Sequence, residues 1–471
     1  MNRPAPHHDN KIGLIVATAL SVTVVLGAGI LALPGISYLH AGRHGHWPWL
    51  IMAVVMLPLL AIFSHFGRHH PSAGGVVGYV RVSLGERWAA VTEMIVLGTL
   101  LVGLPSIALI GASYFSQFFG GLPDTLVAWL IISTSAVAAL IGLRLSGPVQ
   151  TMIAVLILLG LLIITGGFLL TAPDLPGALS PDRLNTPANT FPWMPMLHAL
   201  PAILFAYTGW ELTAFLAEDM RHPQRDLPRS IWISFILVSA LYLLMAWAVA
   251  AHAQPTAGWY DTPIAQLAEG WLGNNGRRAV GLIAALLVLA NVMAAFLSTS
   301  RAMFSAGRDG LLPRWLATRN QHGTPVNAIL LTWAACSLTL LIAWLTRTPT
   351  HTLLQLAGQN FFVLYLLAAI GYVAKAPDMA STRQPGRGPT LATTGSDETH
   401  GNGKAMKFGK TACSLSSSPR KPHVTWLIGA LAILSVLGMM SLFQPLGMLY
   451  CGLLAAMGYV GVRWRRQTPK T

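Results

Sequence analysis

The chain contains few charged residues and few cysteines. Asp, Glu, Lys and Arg together make up only 10% of its 471 residues, whereas hydrophobic residues make up 54%. A composition this apolar excludes an ordinary water-soluble domain and indicates a chain that crosses a membrane many times. The three cysteines, Cys336, Cys413 and Cys451, are too few for a disulfide framework. We therefore interpret them as free thiols.

Catalytic and metal-binding motifs are also lacking. No H-E-x-x-H sequence is present, and the H-x-x-x-H sequence at 65–69 has no glutamate. His40, His44 and His46 lie close together in the sequence, but no carboxylate or cysteine joins them as a metal ligand. We therefore predict that the protein is not an enzyme and has no metal site and no cofactor.

Apolar runs long enough to cross a bilayer predict an all-α membrane protein with about 12 transmembrane helices. The predicted spans are 12–39, 47–66, 94–119, 125–143, 151–170, 194–217, 230–252, 279–300, 326–346, 353–374, 425–443 and 445–463. The first run is too long for the core of a signal peptide, and we expect it to be retained.

The net charge of +14 follows the membrane topology and does not indicate a nucleic-acid partner. Of the 30 Lys and Arg residues, the odd-numbered loops hold only Arg43, Arg183, Arg277, Arg278 and Arg347. Because cytoplasmic loops carry the basic excess, both termini are predicted to be cytoplasmic, in a membrane of the bacterial inner-membrane type.

The predicted domain organisation has three parts. Residues 1–375 form a transporter core of two inverted five-helix repeats, about 12–170 and 194–374. Residues 376–424 are rich in Gly, Ser, Thr, Pro and Lys, which predicts a disordered cytoplasmic loop. Its basic residues are interpreted as those of a solvated linker, with contact to anionic lipid as the alternative. Residues 425–471 contain the last two helices and a cytoplasmic tail.

Two spans are interrupted by small residues at corresponding positions of the two repeats. Gly27, Ala28 and Gly29 break the first span, and Gly209 breaks the sixth, with Glu211 just beyond it. Unpaired backbone groups are tolerated in a membrane only where they line a cavity or a ligand. Either break alone is compatible with helix packing, but the pair indicates a transporter with a binding site at the bilayer midplane.

Four motifs in order resemble the amino acid-polyamine-organocation transporter superfamily. They are G-A-G-I-L at 27–31, P-S-A-G-G-V-V-G-Y at 71–79, F-A-Y-T-G-W-E at 205–211 and S-R-A-M-F-S-A-G-R-D-G-L-L-P at 300–313. The stretch at 67–76 further resembles the bacterial methionine and branched-chain amino-acid exporter branch. The resemblance implies a fold with broken first and sixth helices, two additional C-terminal helices, and a short helix after the turn at 71–75.

The resemblance also implies which backbone groups hold an amino acid. The N–H groups of Ala28 and Gly29, at the start of a helix half, would bind the substrate carboxylate. Carbonyl groups at the ends of the other helix halves would bind the ammonium. The predicted substrate-binding residues are Val25, Gly27, Ala28, Gly29, Phe205, Thr208 and Gly209.

Phe205 and Glu211 bear on substrate and coupling. Phe205 is interpreted as an apolar gate beside the substrate, with ordinary packing as the alternative. Glu211 is either a proton-coupling carboxylate or a cap for freed backbone N–H groups. The sequence thus predicts a transporter of apolar amino acids, most simply an exporter using protons or exchange. An importer or exchanger, or a non-transporting sensor that binds amino acids, is the alternative.

Polar residues elsewhere in the spans have two possible roles each. Gln355, Gln359 and Asn360 in the tenth span line the pathway or form hydrogen bonds between helices. Ser298 and Thr299, at the end of the eighth span, carry oxygens that suit a sodium ion, although we favour proton coupling or exchange.

Overall fold

The computed structural model describes residues 12–26, 29–69, 75–119, 121–141, 147–171, 193–210, 220–252, 259–321, 323–381 and 422–467. Within these ranges the chain is α-helical, with two short 3-10 segments and one isolated β-bridge, between Ile12 and Met220. The prediction of an all-α membrane protein is confirmed.

Seven of the described helices lie in the predicted first repeat. These are α1 (Leu14–Val25), α2 (Gly29–Ala41), α3 (Trp47–His69), α4 (Gly75–Leu84), α5 (Glu86–Phe119), α6 (Asp124–Leu140) and α7 (Gly147–Thr171). Together α1 and α2 are the first predicted span, now seen as two helices. The helix α4 is the short helix expected after the turn at 71–75.

The remaining described helices lie in the predicted second repeat and the predicted C-terminal pair. These are α8 (Trp193–Ala206), α9 (Pro223–His252), α10 (Pro263–Arg308), α11 (Val326–Leu345), α12 (Thr350–Ser381), α13 (Pro422–Met440) and α14 (Pro445–Gln467). Inside α10, Gly273 has φ 68° and ψ −164°, so a short first helix and the eighth span meet there at a kink.

Eight of the described helices are long and apolar enough to cross a membrane by themselves. The first and sixth predicted spans are not among them because each is interrupted, and α6 is only 17 residues long. Several helices extend beyond the predicted spans: α5 begins at Glu86, α9 at Pro223, and α12 continues to Ser381. Most of the predicted cytoplasmic loop, residues 382–421, lies outside the described residues, and the three-part organisation stays a prediction.

The long helix α5 lies at the centre of the molecule and packs against α10, α12 and α14. Small residues on α5 allow this close packing. A Cβ atom on Gly111 would overlap the side chain of Val288 on α10, and one on Gly98 would overlap Leu454 on α14. Van der Waals packing of this kind holds membrane helices together, because lipid tails are as apolar as the side chains.

Candidate functional site

The first helix is broken between Val25 and Gly29, as the small residues in its sequence predict. The last turn of α1 closes with the Leu26 N–H donating to the Val22 carbonyl oxygen at 2.7 Å. The ψ angle of Leu26 is 58°, which leaves the helical region, and α2 begins at Gly29. Gly27 and Ala28 lie outside the described residues, so their predicted contacts stay predictions.

The sixth helix is broken after Ala206, where α8 ends. The Tyr207 N–H donates to the Leu204 carbonyl at 2.8 Å, and the Thr208 hydroxyl donates to the Phe205 carbonyl at 2.7 Å. Gly209 then adopts φ 112°, a conformation that favours glycine. These local interactions stop the helix. Glu211, the predicted coupling residue, lies outside the described residues.

The two breaks meet in space. A Cβ atom placed on Gly29 would lie 3.4 Å from Cα and Cβ of Ala206 and 3.2 Å from Cδ1 of Leu33. The start of α2 therefore rests against the end of α8. This brings the positive end of one helix dipole close to the carbonyl ends of two others, α1 and α8. Such a junction offers both hydrogen-bond donors and acceptors to a zwitterionic ligand.

Phe205 forms an apolar wall beside the junction. Its side chain is half-buried, and its Cε2 atom would lie 3.4 Å from a Cβ atom on Gly103 of α5. Its ring meets that of Phe361 on α12 edge to face, with centroids 6.4 Å apart. The ring thus connects α8 to α5 and α12. Its predicted function as a gate is compatible with this position and stays a prediction.

Two buried tyrosines hold the broken helices, and our interpretation of the sequence missed both. The Tyr242 hydroxyl on α9 lies 2.9 Å from the Val25 carbonyl oxygen and 2.9 Å from the Ala206 carbonyl oxygen. The Tyr114 hydroxyl on α5 donates to the Leu31 carbonyl at 2.7 Å. A buried tyrosine needs a partner for its hydroxyl, so tyrosines inside apolar spans are the sequence signal for such contacts.

On its far side from the break, α2 is covered by residues 259–262. Gly35 lies directly against the Tyr260 carbonyl, where any Cβ atom would clash. The Tyr38 ring packs on the rings of Trp259 and Tyr260, with centroid distances of 5.7 and 6.4 Å. This end of the junction is therefore closed in the structure.

The polar residues of the tenth span contact the C-terminal helix pair. Gln355 accepts a hydrogen bond at 2.9 Å from the amide of Gln444, and Asn360 accepts one from the Cys451 thiol. Gln359 packs against Gly447 of α14. These contacts support hydrogen bonding between helices rather than lining of the pathway.

The structure also shows the surroundings of the candidate sodium ligands and of possible metal ligands. The hydroxyls of Ser298 and Thr299 donate to carbonyls of their own helix, at 3.1 and 2.8 Å. Within the described ranges, no three histidine, cysteine or acidic side chains are grouped so that they could hold a metal ion. Nothing in these contacts singles out a sodium site.

A many-span helical protein whose two interrupted helices meet inside the molecule is built as a membrane transporter of the broken-helix class. Comparison with known proteins gives the family. The chain belongs to the amino acid permease family, whose sequence model matches residues 12–449.

Individual relatives are similar over most of their length. The amino acid permease YecA of Bacillus subtilis is 27% identical over 372 residues, 77% of this chain and 84% of the relative. The L-methionine/branched-chain amino acid exporter YjeH of Escherichia coli is 27% identical over 367 residues, 76% and 85% of the two chains. The branched-chain amino acid permease BcaP of B. subtilis is 25% identical over 400 residues, 78% and 82%.

Proposed function

We propose that this protein is a secondary active transporter that exports apolar amino acids of the methionine, leucine, isoleucine and valine type. The observation that carries the proposal is the meeting of the two helix breaks, with Gly29 against Ala206 and Phe205 beside them. A free amino acid has a carboxylate and an ammonium, and both are costly to desolvate at membrane depth. The junction supplies backbone partners for both charges.

In the proposed binding mode, the substrate lies across the junction. Its carboxylate accepts hydrogen bonds from the N–H groups of Ala28 and Gly29 at the start of α2. Its ammonium donates to the carbonyl oxygens of Val25, Phe205 and Thr208. A carbonyl oxygen has two lone pairs, so the Val25 carbonyl, which accepts from Tyr242, retains one for the ammonium.

The proposed preference for apolar side chains rests on charge and packing. The described residues of the broken helices, 12–26, 29–41 and 193–210, contain no acidic side chain. Glu211, directly after them, is assigned to the coupling proton, so the distal charge of lysine or arginine would have no further partner there, which is expensive in a membrane. The Phe205 ring, packed against Phe361, instead presents an apolar surface to the substrate side chain.

Export is the direction we propose, and its support comes from the relatives. YjeH is named an exporter of methionine and branched-chain amino acids, whereas BcaP is named a branched-chain amino acid permease. Both names concern the same class of side chain. The distribution of Lys and Arg supports a bacterial inner membrane with both termini in the cytoplasm. Import or exchange of the same substrates is the second candidate.

For coupling, we propose a proton carried by Glu211. Glu211→Gln should then retain substrate binding and exchange, because the amide keeps size and hydrogen-bonding capacity, but net transport should lose its pH dependence. If Glu211 instead caps backbone N–H groups, the variant should lose stability or binding. Exchange, net flux and melting temperature measured between about pH 5.5 and 8 separate the two roles.

The proposed substrate class is tested by counterflow in proteoliposomes. Purified protein is reconstituted with unlabelled methionine or leucine inside, and uptake of labelled amino acids is followed with and without sodium. We expect counterflow for methionine, leucine, isoleucine and valine, and none for lysine or arginine. Counterflow of the cationic amino acids alone would contradict the proposal, and binding without any flux would favour a sensor.

Direction is tested in cells that overproduce the protein. An exporter lowers intracellular levels of toxic analogues of methionine, leucine or valine, so these cells should tolerate the analogues better than cells with an empty vector. Tolerance to lysine and arginine analogues should not change. Greater sensitivity to the apolar analogues would show uptake.

A further inference from the structure

Tyr242 is the single side chain that contacts the carbonyl ends of both broken helices in the described structure. It lies on α9 and is fully buried. Its hydroxyl oxygen is 2.9 Å from the carbonyl oxygen of Val25, the last residue of α1, and 2.9 Å from that of Ala206, the last residue of α8. One phenol group therefore connects two helix ends that come from different repeats.

The Tyr242 ring is held by its neighbours. The ring meets Trp49 of α3 and Tyr207 edge to face, with centroid distances of 5.1 and 5.3 Å. Tyr207 is itself held by a hydrogen bond from its hydroxyl to the Trp49 carbonyl at 3.1 Å. Trp49 on α3 thus holds the ring from outside the broken helices, whereas Tyr207 follows Ala206 directly and connects the aromatic cluster to the end of α8.

A phenol has one proton to donate, whereas two carbonyls lie within reach. The last carbonyls of a helix have no donor within the helix and carry the negative end of its dipole. In a buried site each of them needs a donor. The single Tyr242 proton can be shared between the two carbonyls only while both helix ends lie next to it.

In a transporter with inverted repeats, α1 and α8 are the first halves of equivalent helices and lie on opposite sides of the membrane. Opening toward one side moves one of them, and opening toward the other side moves the other. We propose that Tyr242 is a positioning residue that holds both helix halves in the closed arrangement. Each opening step takes one of the two carbonyls away from the shared Tyr242 hydroxyl. This inference rests on the proposed transport function.

The test measures opening directly with cysteine probes. Ser21→Cys on α1 and Ala199→Cys on α8 replace small, fully buried residues. The rate at which a small thiol reagent labels each probe reports how often that helix half is exposed. Labelling of the same protein without a probe is subtracted, because Cys336 and Cys451 are free thiols.

Tyr242→Phe removes the hydroxyl and keeps the ring. Losing the buried hydrogen bond that the two helix ends share should raise the labelling rate at both probes by about three- to tenfold. The matched control is Tyr450→Phe, which removes a hydroxyl that donates to the Gly98 carbonyl at 2.8 Å, between α14 and α5. If Tyr242 contributed only to general stability, the two variants would change the labelling rates in the same way. The proposal requires that Tyr450→Phe leave both rates unchanged.

A second variant works in the opposite direction. Site-specific 3-fluorotyrosine at position 242 keeps the ring and makes the hydroxyl a stronger donor, so labelling at both probes should slow. This arm remains decisive if Tyr242→Phe does not fold. Unchanged labelling with both replacements, or a change at only one probe, would overturn the proposal.

Labelling requires no transported substrate. A wrong assignment of the substrate class would appear in counterflow and leave the labelling result intact. Conversely, normal counterflow of methionine with unchanged labelling in both Tyr242 replacements would reject the role of Tyr242 alone.

Discussion

The two helix breaks are built by different means. After Ala206, the chain stops its own helix: the Thr208 hydroxyl donates to the Phe205 carbonyl, and Gly209 takes a positive φ of 112°. After Val25, the described contact that satisfies the helix end comes from Tyr242, 217 residues further along the chain. Tyr242 contacts both helix ends, so the second break has a local side-chain cap in addition to this tertiary contact, whereas the described side-chain cap of the first break is the tertiary contact.

This difference separates two kinds of residue. At the first break, Gly29 serves close approach, since its α-carbon rests near Ala206 and leaves the start of α2 open to a ligand. At the second break, Gly209 allows the backbone to adopt a positive φ angle. Substitutions at the first should therefore affect binding most, and substitutions at the second should affect stability most. The predictions below test this contrast.

The largest effect is expected for Gly29→Leu. A leucine there would push against Leu33 and Ala206, because even its Cβ atom would lie 3.2 Å from Leu33 and 3.4 Å from Ala206, and it would separate the two breaks. Substrate binding should be abolished, while membrane insertion is kept because leucine favours insertion by about 0.5 kcal/mol. The measurement is thermal stabilisation of the purified protein by methionine or leucine.

Gly29→Ala is the matched control for that variant. Its single added carbon meets Ala206 at an ordinary contact distance and needs only a small shift of the Leu33 side chain. We expect ligand stabilisation to persist. If Gly29→Leu is stabilised by methionine as well as the wild-type protein is, the junction is not the binding site.

A loss of stability is expected for Gly209→Val. A β-branched residue at φ 112° is strained, at a cost of about 1–3 kcal/mol. The melting temperature should fall. Gly160→Val on α7 is the control, because nothing lies within 4 Å of the position its Cβ would take. A melting temperature equal in the two variants would show that the second break does not depend on the glycine conformation.

The contrast between the breaks also explains how much the sequence could predict. The positions of both breaks and the short helix α4 follow from glycine-rich motifs, which act locally. Tyr242 could not be assigned, because its partners are two backbone carbonyls that approach it only after α1 and α8 pack on α9. The sequence does not decide between the two roles of Gln355 and Asn360, because their partners approach them only after α13 and α14 pack against α12.

A smaller effect is expected for Thr208→Val, which tests whether the second break is capped locally. The valine keeps the shape of threonine but removes the hydroxyl that donates to the Phe205 carbonyl. The free energy of unfolding should fall by about 1 kcal/mol, the net value of one such hydrogen bond. Thr208→Ser keeps the donor and should retain wild-type stability. Equal melting temperatures for the serine and valine variants would exclude a capping role.

The smallest effect concerns the segment that covers α2, the helix that begins at the first break. The described residues show no corresponding cover at the second break. Residues 259–262 provide this cover, and Asp261 lies among them. Desolvation raises the pKa of the Asp261 carboxyl, the negative charge of Asp124 raises it further, and His351 partly offsets these effects. A carboxyl with a raised pKa stabilises the folded protein most when it is protonated.

Asp261 therefore contributes stability below its unfolded pKa of about 3.9, and this contribution is lost as the pH rises through the higher folded pKa. Asp261→Asn removes this partly desolvated charge, so the variant should melt at a slightly higher temperature than the wild type at pH 7. The difference should shrink as the pH is lowered toward about 4. Asp124→Asn tests the cause, because removing the neighbouring negative charge should make the stabilising effect of Asp261→Asn smaller in that background. If the stability difference between Asp261→Asn and the wild type grows as the pH falls, the pKa of Asp261 is not raised. The cover over α2 would then carry no destabilising charge at neutral pH.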